Sequence, residues 1–140
     1  MAEKIRLGVL GAGRWGPNLI RNFDTNSDSQ VVAVVDTQEA RQKGIKDRFP
    51  NAKVSGNVND VLENPQIDAV VICTPTATHY ELTKKALQNN KHVFVEKPLA
   101  TNVQECSDLI RLAKEKNLTL FVGHVFVYNA GVQAVARYIR

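Results

Sequence analysis

Cysteine is scarce in this 140-residue chain, which contains only Cys73 and Cys106. The two lie 33 positions apart, so they form neither a zinc-binding spacing nor a Cys-x-x-Cys redox motif. Both have apolar neighbours, which favours buried free thiols, and we expect no bound metal.

Long apolar runs are missing too. No segment approaches the ~20 residues that cross a bilayer, and the first ten residues lack the apolar core of a signal peptide. We therefore expect a cytoplasmic protein.

Clustered positive charge is also absent. The 18 lysines and arginines outnumber the 14 acidic residues, but no basic run is longer than Lys84–Lys85. A nucleic-acid partner requires a concentrated basic face, so we expect these residues to lie on a solvated surface instead. With 44% hydrophobic and 23% charged residues, the chain has the composition of one globular domain rather than of a disordered segment.

Short apolar runs alternate with helical patterns along the chain. The runs are continuous, which is typical of strands buried on both faces of a parallel sheet. This repeated alternation predicts an α/β fold, a doubly wound parallel sheet in three α/β/α layers (the Rossmann fold), which binds ligands at the carboxyl ends of its strands. The predicted strands are 5–10, 31–35, 69–73, 92–95 and 119–122, with a weaker one at 52–55, and the predicted helices are 15–24, 38–49, 58–63, 78–90 and 102–116.

The segment GVLGAGRWGPN carries three glycines spaced Gly11-x-Gly13-x-x-Gly16. It follows a predicted strand and opens a predicted helix, and Asp36 ends the next strand 20 residues after Gly16, as in a dinucleotide-binding fingerprint. Gly11 permits a tight turn, Gly13 lets the backbone approach a pyrophosphate, and Gly16 lets helix and strand pack closely. Asp36 can accept both ribose hydroxyls of adenosine and repels a 2′-phosphate. We therefore expect NAD rather than NADP, although Arg41 could assist a 2′-phosphate.

The segment CTPTATHYE ends the predicted strand 69–73. Thr74, Thr76 and Thr78 supply hydroxyl groups, and His79 supplies a ring near the expected nicotinamide half. The alternative is a plain strand–helix loop in which Thr78 caps the helix and His79 lies at the surface. The residues alone leave both interpretations open.

The triplet Glu96-Lys97-Pro98 follows the predicted strand 92–95. Opposite charges at the carboxyl end of such a strand are candidates for polar contacts with a substrate. The alternative is an ordinary surface ion pair, which contributes little to stability.

Together, the motifs GAGRWGPN, CTPTATHYE, EKPLA and GHVFVYN resemble those of the glucose–fructose oxidoreductase/inositol dehydrogenase (Gfo/Idh/MocA) family across essentially the whole chain. GRWGPN followed by GHVFVYN is similar to the branch that acts on nucleotide-linked sugars, such as the UDP-N-acetylglucosamine 3-dehydrogenases. The resemblance implies an NAD(P)-dependent dehydrogenase whose partner is a small sugar or nucleotide sugar.

The resemblance also implies a role for each matching residue. Lys97 matches the family's catalytic lysine, whose ammonium group can stabilise a developing alkoxide. His124 and Asn129 would approach the sugar, and the Lys97–Pro98 peptide would be cis. The residues implied to bind the cofactor are Gly11, Gly13, Arg14, Trp15 and Gly16 at the pyrophosphate, Asp36 at the adenosine ribose, Thr74, Pro75 and His79 at the nicotinamide ribose, and Glu96 and Lys97 beside the nicotinamide.

Members of this family are usually more than twice as long as this chain and contain a second domain that holds the substrate. We therefore expect residues 1–125 to form the dinucleotide-binding domain and 126–140 to form a helix that leads into an absent substrate-binding domain. A free C-terminal helix is the alternative, and its apolar face could drive formation of a homo-oligomer. We expect the chain alone to bind cofactor without turnover. A stand-alone nucleotide-binding or redox-sensing module without catalysis is the alternative function.

Overall fold

The computed structural model of the chain describes residues 3–139, in which six strands alternate with helices. The strands match the predicted apolar runs, including the weak one near residue 53. In chain order the elements are β1 (Ile5–Leu10), α1 (Gly16–Asp24), β2 (Ser29–Val35), α2 (Glu39–Arg48), β3 (Lys53–Ser55), α3 (Asn59–Leu62), β4 (Ala69–Ile72), a 3-10 turn (Thr76–Thr78), α4 (His79–Gln88), β5 (His92–Glu96), α5 (Val103–Glu115), β6 (Leu120–Gly123), a second 3-10 turn (Val125–Tyr128) and α6 (Ala130–Ile139).

The six strands form one parallel sheet in the order β3-β2-β1-β4-β5-β6. This arrangement confirms the predicted doubly wound α/β fold. The strand order reverses between β1 and β4, where Leu10 pairs with Ile72 at the carboxyl ends. Sheets of this kind bind ligands in the crevice at such a reversal.

The central strand β1 is buried on both faces from Leu7 to Leu10, which explains why this part of its sequence carries no polar side chain. Leu7 and Val9 pack with Ile20 of α1 and Ile45 of α2 on one side of the sheet. Leu10 packs on the other side, in the cluster that includes the fully buried Leu62, Leu87 and Leu109 of α3, α4 and α5. The two clusters are the cores of a three-layer sandwich.

Local sequence also determines where the helices begin and end. Asn102 caps α5, because its Oδ1 accepts a hydrogen bond of 2.9 Å from the Glu105 N–H, and Glu105 in turn accepts one of 3.0 Å from the Thr101 N–H. Helices α4 and α5 are each followed by an asparagine in the left-handed region, Asn90 (φ 59°) and Asn117 (φ 54°). These residues end each helix and turn the chain into the next strand.

The observed elements differ from the predicted ones mainly at their ends. The helix expected over 78–90 begins at His79, because Thr76–Thr78 forms a 3-10 turn, and the strand expected at 31–35 begins at Ser29. The C-terminal helical pattern does form a helix, α6, whose side chains are largely exposed. None of the helices within 3–139 has the length and apolar character needed to cross a membrane.

Candidate functional site

The turn after β1 depends on two glycines. Gly11 has a φ of 96°, a left-handed conformation that residues with a Cβ rarely adopt, and a Cβ there would lie 2.8 Å from the carbonyl oxygen of Cys73. A Cβ on Gly16 would collide with the carbonyl oxygen of Gly11. Helix α1 therefore begins in direct contact with the end of β1, in agreement with the tight turn and close packing predicted for these two positions.

Gly13 is different, because the fold itself leaves space for a side chain there. The nearest atom to a Cβ on Gly13 would be the Arg41 Nη1, 3.6 Å away, which is an ordinary contact. The bare backbone instead lines a cavity beside the start of α1. The first turn of α1 contains no acidic residue, and the N-terminus of a helix offers free N–H groups and a positive dipole end. These residues fit an anionic group such as a pyrophosphate.

Asp36, directly after β2, is 6% exposed, and its carboxylate is bonded into the glycine turn. Its Oδ2 accepts a hydrogen bond of 2.7 Å from the Ala12 N–H, and its Oδ1 accepts one of 2.9 Å from the Gln38 N–H. The Arg41 Nη1 lies 3.5 Å from the same Oδ2. Since a carboxylate has about four lone-pair sites, Asp36 retains the capacity to accept hydrogen bonds from hydroxyl groups of a ligand.

The loop after β4 is held by hydrogen bonds of Thr78 and His79. The Thr78 hydroxyl lies 2.7 Å from that of Thr74 and 2.8 Å from the Pro75 carbonyl oxygen, and it makes no helix cap. His79 is 1% exposed, with Nδ1 2.7 Å from the Pro98 carbonyl oxygen and Nε2 2.9 Å from the Thr74 carbonyl oxygen. The alternative interpretation is therefore wrong, because His79 is buried and Thr78, although it stands at the N-cap position of α4, makes no side-chain capping hydrogen bond.

Strand β5 ends at Glu96, which is half-buried, and the next residue, Lys97, is exposed. The ion pairs found within residues 3–139 do not include one between these two side chains, so the alternative of an ordinary surface pair is not observed. The Lys97–Pro98 peptide is cis, which confirms the expectation from the family resemblance.

Cys73 lies beneath the glycine turn as a half-buried free thiol. Its Sγ lies 2.8 Å from the carbonyl oxygen of Gly11. Burial, together with the nearby carboxylates of Glu96 and Asp36, raises the pKa of the Cys73 thiol to about 12. Cys73 therefore remains protonated and donates a hydrogen bond to the turn. Cys106 is also free and half-buried, and residues 3–139 contain no group of His, Cys, Asp and Glu side chains suited to a metal.

One cavity of about 650 Å³ joins these separate segments at the carboxyl end of the sheet. It contains both positive and negative side chains, with Arg14, Arg41 and Lys97 opposing Asp36 and Glu96. Of the residues predicted to bind cofactor, those that line it are Gly11, Gly13, Arg14, Trp15, Asp36, Thr74, Pro75, His79, Glu96 and Lys97. Gly16 does not line the cavity and lies instead against the Gly11 carbonyl.

The two residues predicted on the substrate side lie apart from this cavity. His124 is exposed just after β6. Asn129 is exposed, and its Oδ1 accepts a hydrogen bond of 3.1 Å from the Val132 N–H, which caps α6. Their proposed contacts with a sugar remain predictions.

The cavity also contains residues to which sequence analysis assigned no role. Gln38 and Val58 both line it. The local pattern Asp36-x-Gln38 carried a signal, since an aspartate commonly accepts a hydrogen bond from the N–H two residues later. Val58 had no such signal, because it reaches the cavity only through the packing of α3 against the sheet.

Known proteins resemble this chain in sequence and in structure. A family model described as an oxidoreductase family with an NAD-binding Rossmann fold matches residues 5–124. A myo-inositol 2-dehydrogenase from Thermotoga maritima is 34% identical over 85% of the chain and 36% of its own length. A dTDP-3,4-didehydro-2,6-dideoxy-α-D-glucose 3-reductase from Saccharopolyspora spinosa is 36% identical over 92% of the chain and 39% of its own length.

The solved structure of a biliverdin reductase from Synechocystis, in complex with biliverdin and NADP⁺, superposes with a TM-score of 0.91 at 29% identity. The superposition covers 96% of this chain and 42% of that one. The chain thus spans about two fifths of the length of these relatives. It belongs to the Gfo/Idh/MocA oxidoreductase family, of which it contains the NAD-binding Rossmann domain.

Proposed function

We propose that this chain binds NAD as the cofactor domain of an oxidoreductase that transfers a hydride between a sugar or nucleotide-sugar carbon and the nicotinamide. One observation supports this most directly: the glycine turn, Asp36 and the Glu96–Lys97 pair, which are far apart in sequence, line a single cavity. The cavity lies at the strand-order reversal, where a Rossmann sheet binds its ligand.

Each part of the cavity suits one part of a dinucleotide. The backbone at Gly11 and Gly13, with the N–H groups of Arg14 and Trp15, would hold the pyrophosphate, because no side chain blocks its approach at Gly13. Asp36 would accept hydrogen bonds from the adenosine ribose. The nicotinamide half would then lie against the loops after β4 and β5, where Thr74, Pro75, His79, Glu96 and Lys97 line the cavity.

Lys97 is proposed as the catalytic residue. When bound, the nicotinamide supplies the site that accepts or returns the hydride. Lys97 is exposed at the cavity and engaged in no ion pair within the described chain, so its ammonium group is available to a substrate hydroxyl. It would donate a hydrogen bond to that oxygen and stabilise the negative charge that develops on it.

NAD is proposed as the preferred cofactor, with NADP as the alternative. The Asp36 carboxylate is buried where the adenosine ribose would lie, and it would repel a 2′-phosphate there. Arg41 could attract that phosphate, but its guanidinium already lies 3.5 Å from Asp36, which offsets its charge. The carboxylate therefore favours the cofactor without the phosphate.

A substrate-binding domain is proposed to pack against the end of the chain. We place the cofactor domain in residues 1–125 and the connecting segment, of which Ala130–Ile139 is helical, in 126–140. Support comes from exposed apolar side chains there, which normally mark an interaction surface. Phe126 is 68% exposed and Ile139 is 79% exposed. His124 and Asn129 lie next to this surface and would face the sugar. Association of two copies through the same surface is the alternative.

The proposed function is tested by titrating the wild-type chain with NADH, using fluorescence or calorimetry. Asp36→Ala should weaken binding by at least about tenfold, because a tenfold loss corresponds to 1.4 kcal/mol, the order of one charged hydrogen bond. Asp47→Ala is the matched control, since it removes the same charge from an exposed position on α2. Undetectable binding to wild type at millimolar NADH would disprove the proposal.

A further inference from the structure

The ring of His79 lies between two loops that carry the proposed nicotinamide contacts. His79 is the first residue of α4 and is 1% exposed. Its Nε2 lies 2.9 Å from the carbonyl oxygen of Thr74, in the loop after β4, and its Nδ1 lies 2.7 Å from that of Pro98, in the loop after β5. Both ring nitrogens are therefore engaged by the protein backbone rather than directed at a ligand.

Within residues 3–139, no other hydrogen bond joins these two loops. Strand pairing between β4 and β5 ends at Ile72 and Val95. Beyond that pair, no side chain of residues 3–139 other than His79 forms hydrogen bonds to both loops. A neutral imidazole donates to one of the two carbonyls and an imidazolium donates to both, so in either state the ring lies at the junction of the loops.

We propose that His79 is a positioning residue for the nicotinamide half of the cofactor. By holding the Thr74 and Pro98 carbonyls on one rigid ring, it sets the distance between the Thr74–Pro75 backbone and Lys97. The inference rests on the proposed cofactor site. On this basis, affinity for the nicotinamide half depends on the His79 side chain even though His79 need not contact the ligand. Affinity for the adenosine half does not depend on it.

The expected selectivity follows from where the two halves of the site are built. Gly13 and Asp36 follow β1 and β2, and the bond from the Ala12 N–H to Asp36 links them to each other without His79. Removing the ring takes away the group that holds the Thr74 and Pro98 carbonyl oxygens and frees the loops after β4 and β5. Binding of adenosine and pyrophosphate should survive that change, whereas the contribution of the nicotinamide should be lost.

The test compares NADH with ADP-ribose, which lacks the nicotinamide, as ligands of the whole chain. In His79→Ala, NADH affinity should fall about tenfold, as expected for the loss of one or two hydrogen bonds, while ADP-ribose affinity stays within about twofold. The matched control is Thr83→Val. Thr83 is fully buried on the same helix, and its hydroxyl has no hydrogen-bond partner within residues 3–139, so both affinities should stay unchanged.

A second variant keeps the test decisive if His79→Ala fails to fold. His79→Asn retains an amide donor near the position of Nδ1, so it should preserve the bond to Pro98 and recover part of the NADH preference. Equal loss of NADH and ADP-ribose affinity in a folded variant, or no loss of NADH affinity, would overturn the inference. Failure of wild type to bind either ligand would instead refute the proposed function, so the two failures are distinguishable.

Discussion

The Asp36 Oδ2 accepts a hydrogen bond of 2.7 Å from the backbone N–H of Ala12. The acidic residue that follows β2 is thereby hydrogen-bonded directly to the glycine turn that follows β1. The proposed ribose and pyrophosphate positions therefore form one unit, and a change at Asp36 acts on both. The Arg41 guanidinium lies 3.5 Å from the same oxygen, so the charge of Asp36 determines whether Arg41 has an anionic partner.

Cofactor preference should follow the charge at Asp36. In Asp36→Ser the repulsion of a 2′-phosphate disappears and Arg41 loses its anionic partner, so the ratio of NADPH to NADH affinity should rise about tenfold or more, which is about 1.4 kcal/mol. The measurement is a pair of fluorescence titrations for each variant. Adding Arg41→Ala to the serine variant should remove most of that gain. An unchanged ratio in both would show that another part of the cavity selects the cofactor.

Gly11 and Gly13, which have different surroundings, should respond differently to alanine. Gly11→Ala should lower the free energy of unfolding by about 1–3 kcal/mol, because of its φ of 96° and the contact with Cys73. Gly13→Ala should change stability by less than about 0.5 kcal/mol but weaken NADH binding at least tenfold, since its Cβ enters the space of the ligand. Urea unfolding and NADH titration measure the two quantities.

Gly44→Ala provides the matched control for these substitutions. Gly44 is exposed within α2, with no atom near its Cβ position, so alanine should stabilise the chain by about 0.5–1 kcal/mol. Strong destabilisation by Gly13→Ala would contradict the assignment of that glycine to ligand approach.

The sheet and the glycine turn could be predicted because local sequence determines them. Strand β1 is buried on both faces from Leu7 to Leu10 and therefore has no polar side chain there. Gly11 and Gly16 are both required because a Cβ at either position would meet neighbouring backbone atoms. The environment of His79 could not be predicted in the same way. Its local sequence is that of an ordinary exposed helix start, and its partner Pro98 is 19 residues away, so its burial appears only once β4 and β5 are paired.

The alkaline stability of the chain should depend on Cys73. Burial raises the pKa of its thiol to about 12 from an ordinary 9.0, so the unfolded chain loses this proton first. The contribution is fully present below pH 9 and is lost as the pH rises towards 12, by up to about 1.4 kcal/mol for each pH unit. Cys73→Ser retains a hydroxyl donor for Gly11 and should decline less steeply with pH. Cys106→Ser, as the control, should follow the wild type. Identical curves for wild type and Cys73→Ser would contradict this assignment.

Lys97 should matter for chemistry but not for folding. It is exposed, so Lys97→Met should change the free energy of unfolding by less than about 0.5 kcal/mol, as should the control Lys43→Met on α2.

The wild-type chain should bind NADH yet form none from NAD and myo-inositol or a UDP-sugar. Lys97, beside the proposed nicotinamide position, faces solvent, and so does Trp15, beside the proposed pyrophosphate position, which is 53% exposed. Water is therefore not excluded from the reacting atoms. Turnover that is present in wild type and Lys43→Met but lost in Lys97→Met would show that Lys97 acts without a second domain. It would overturn the proposal that the chain alone binds cofactor without turnover.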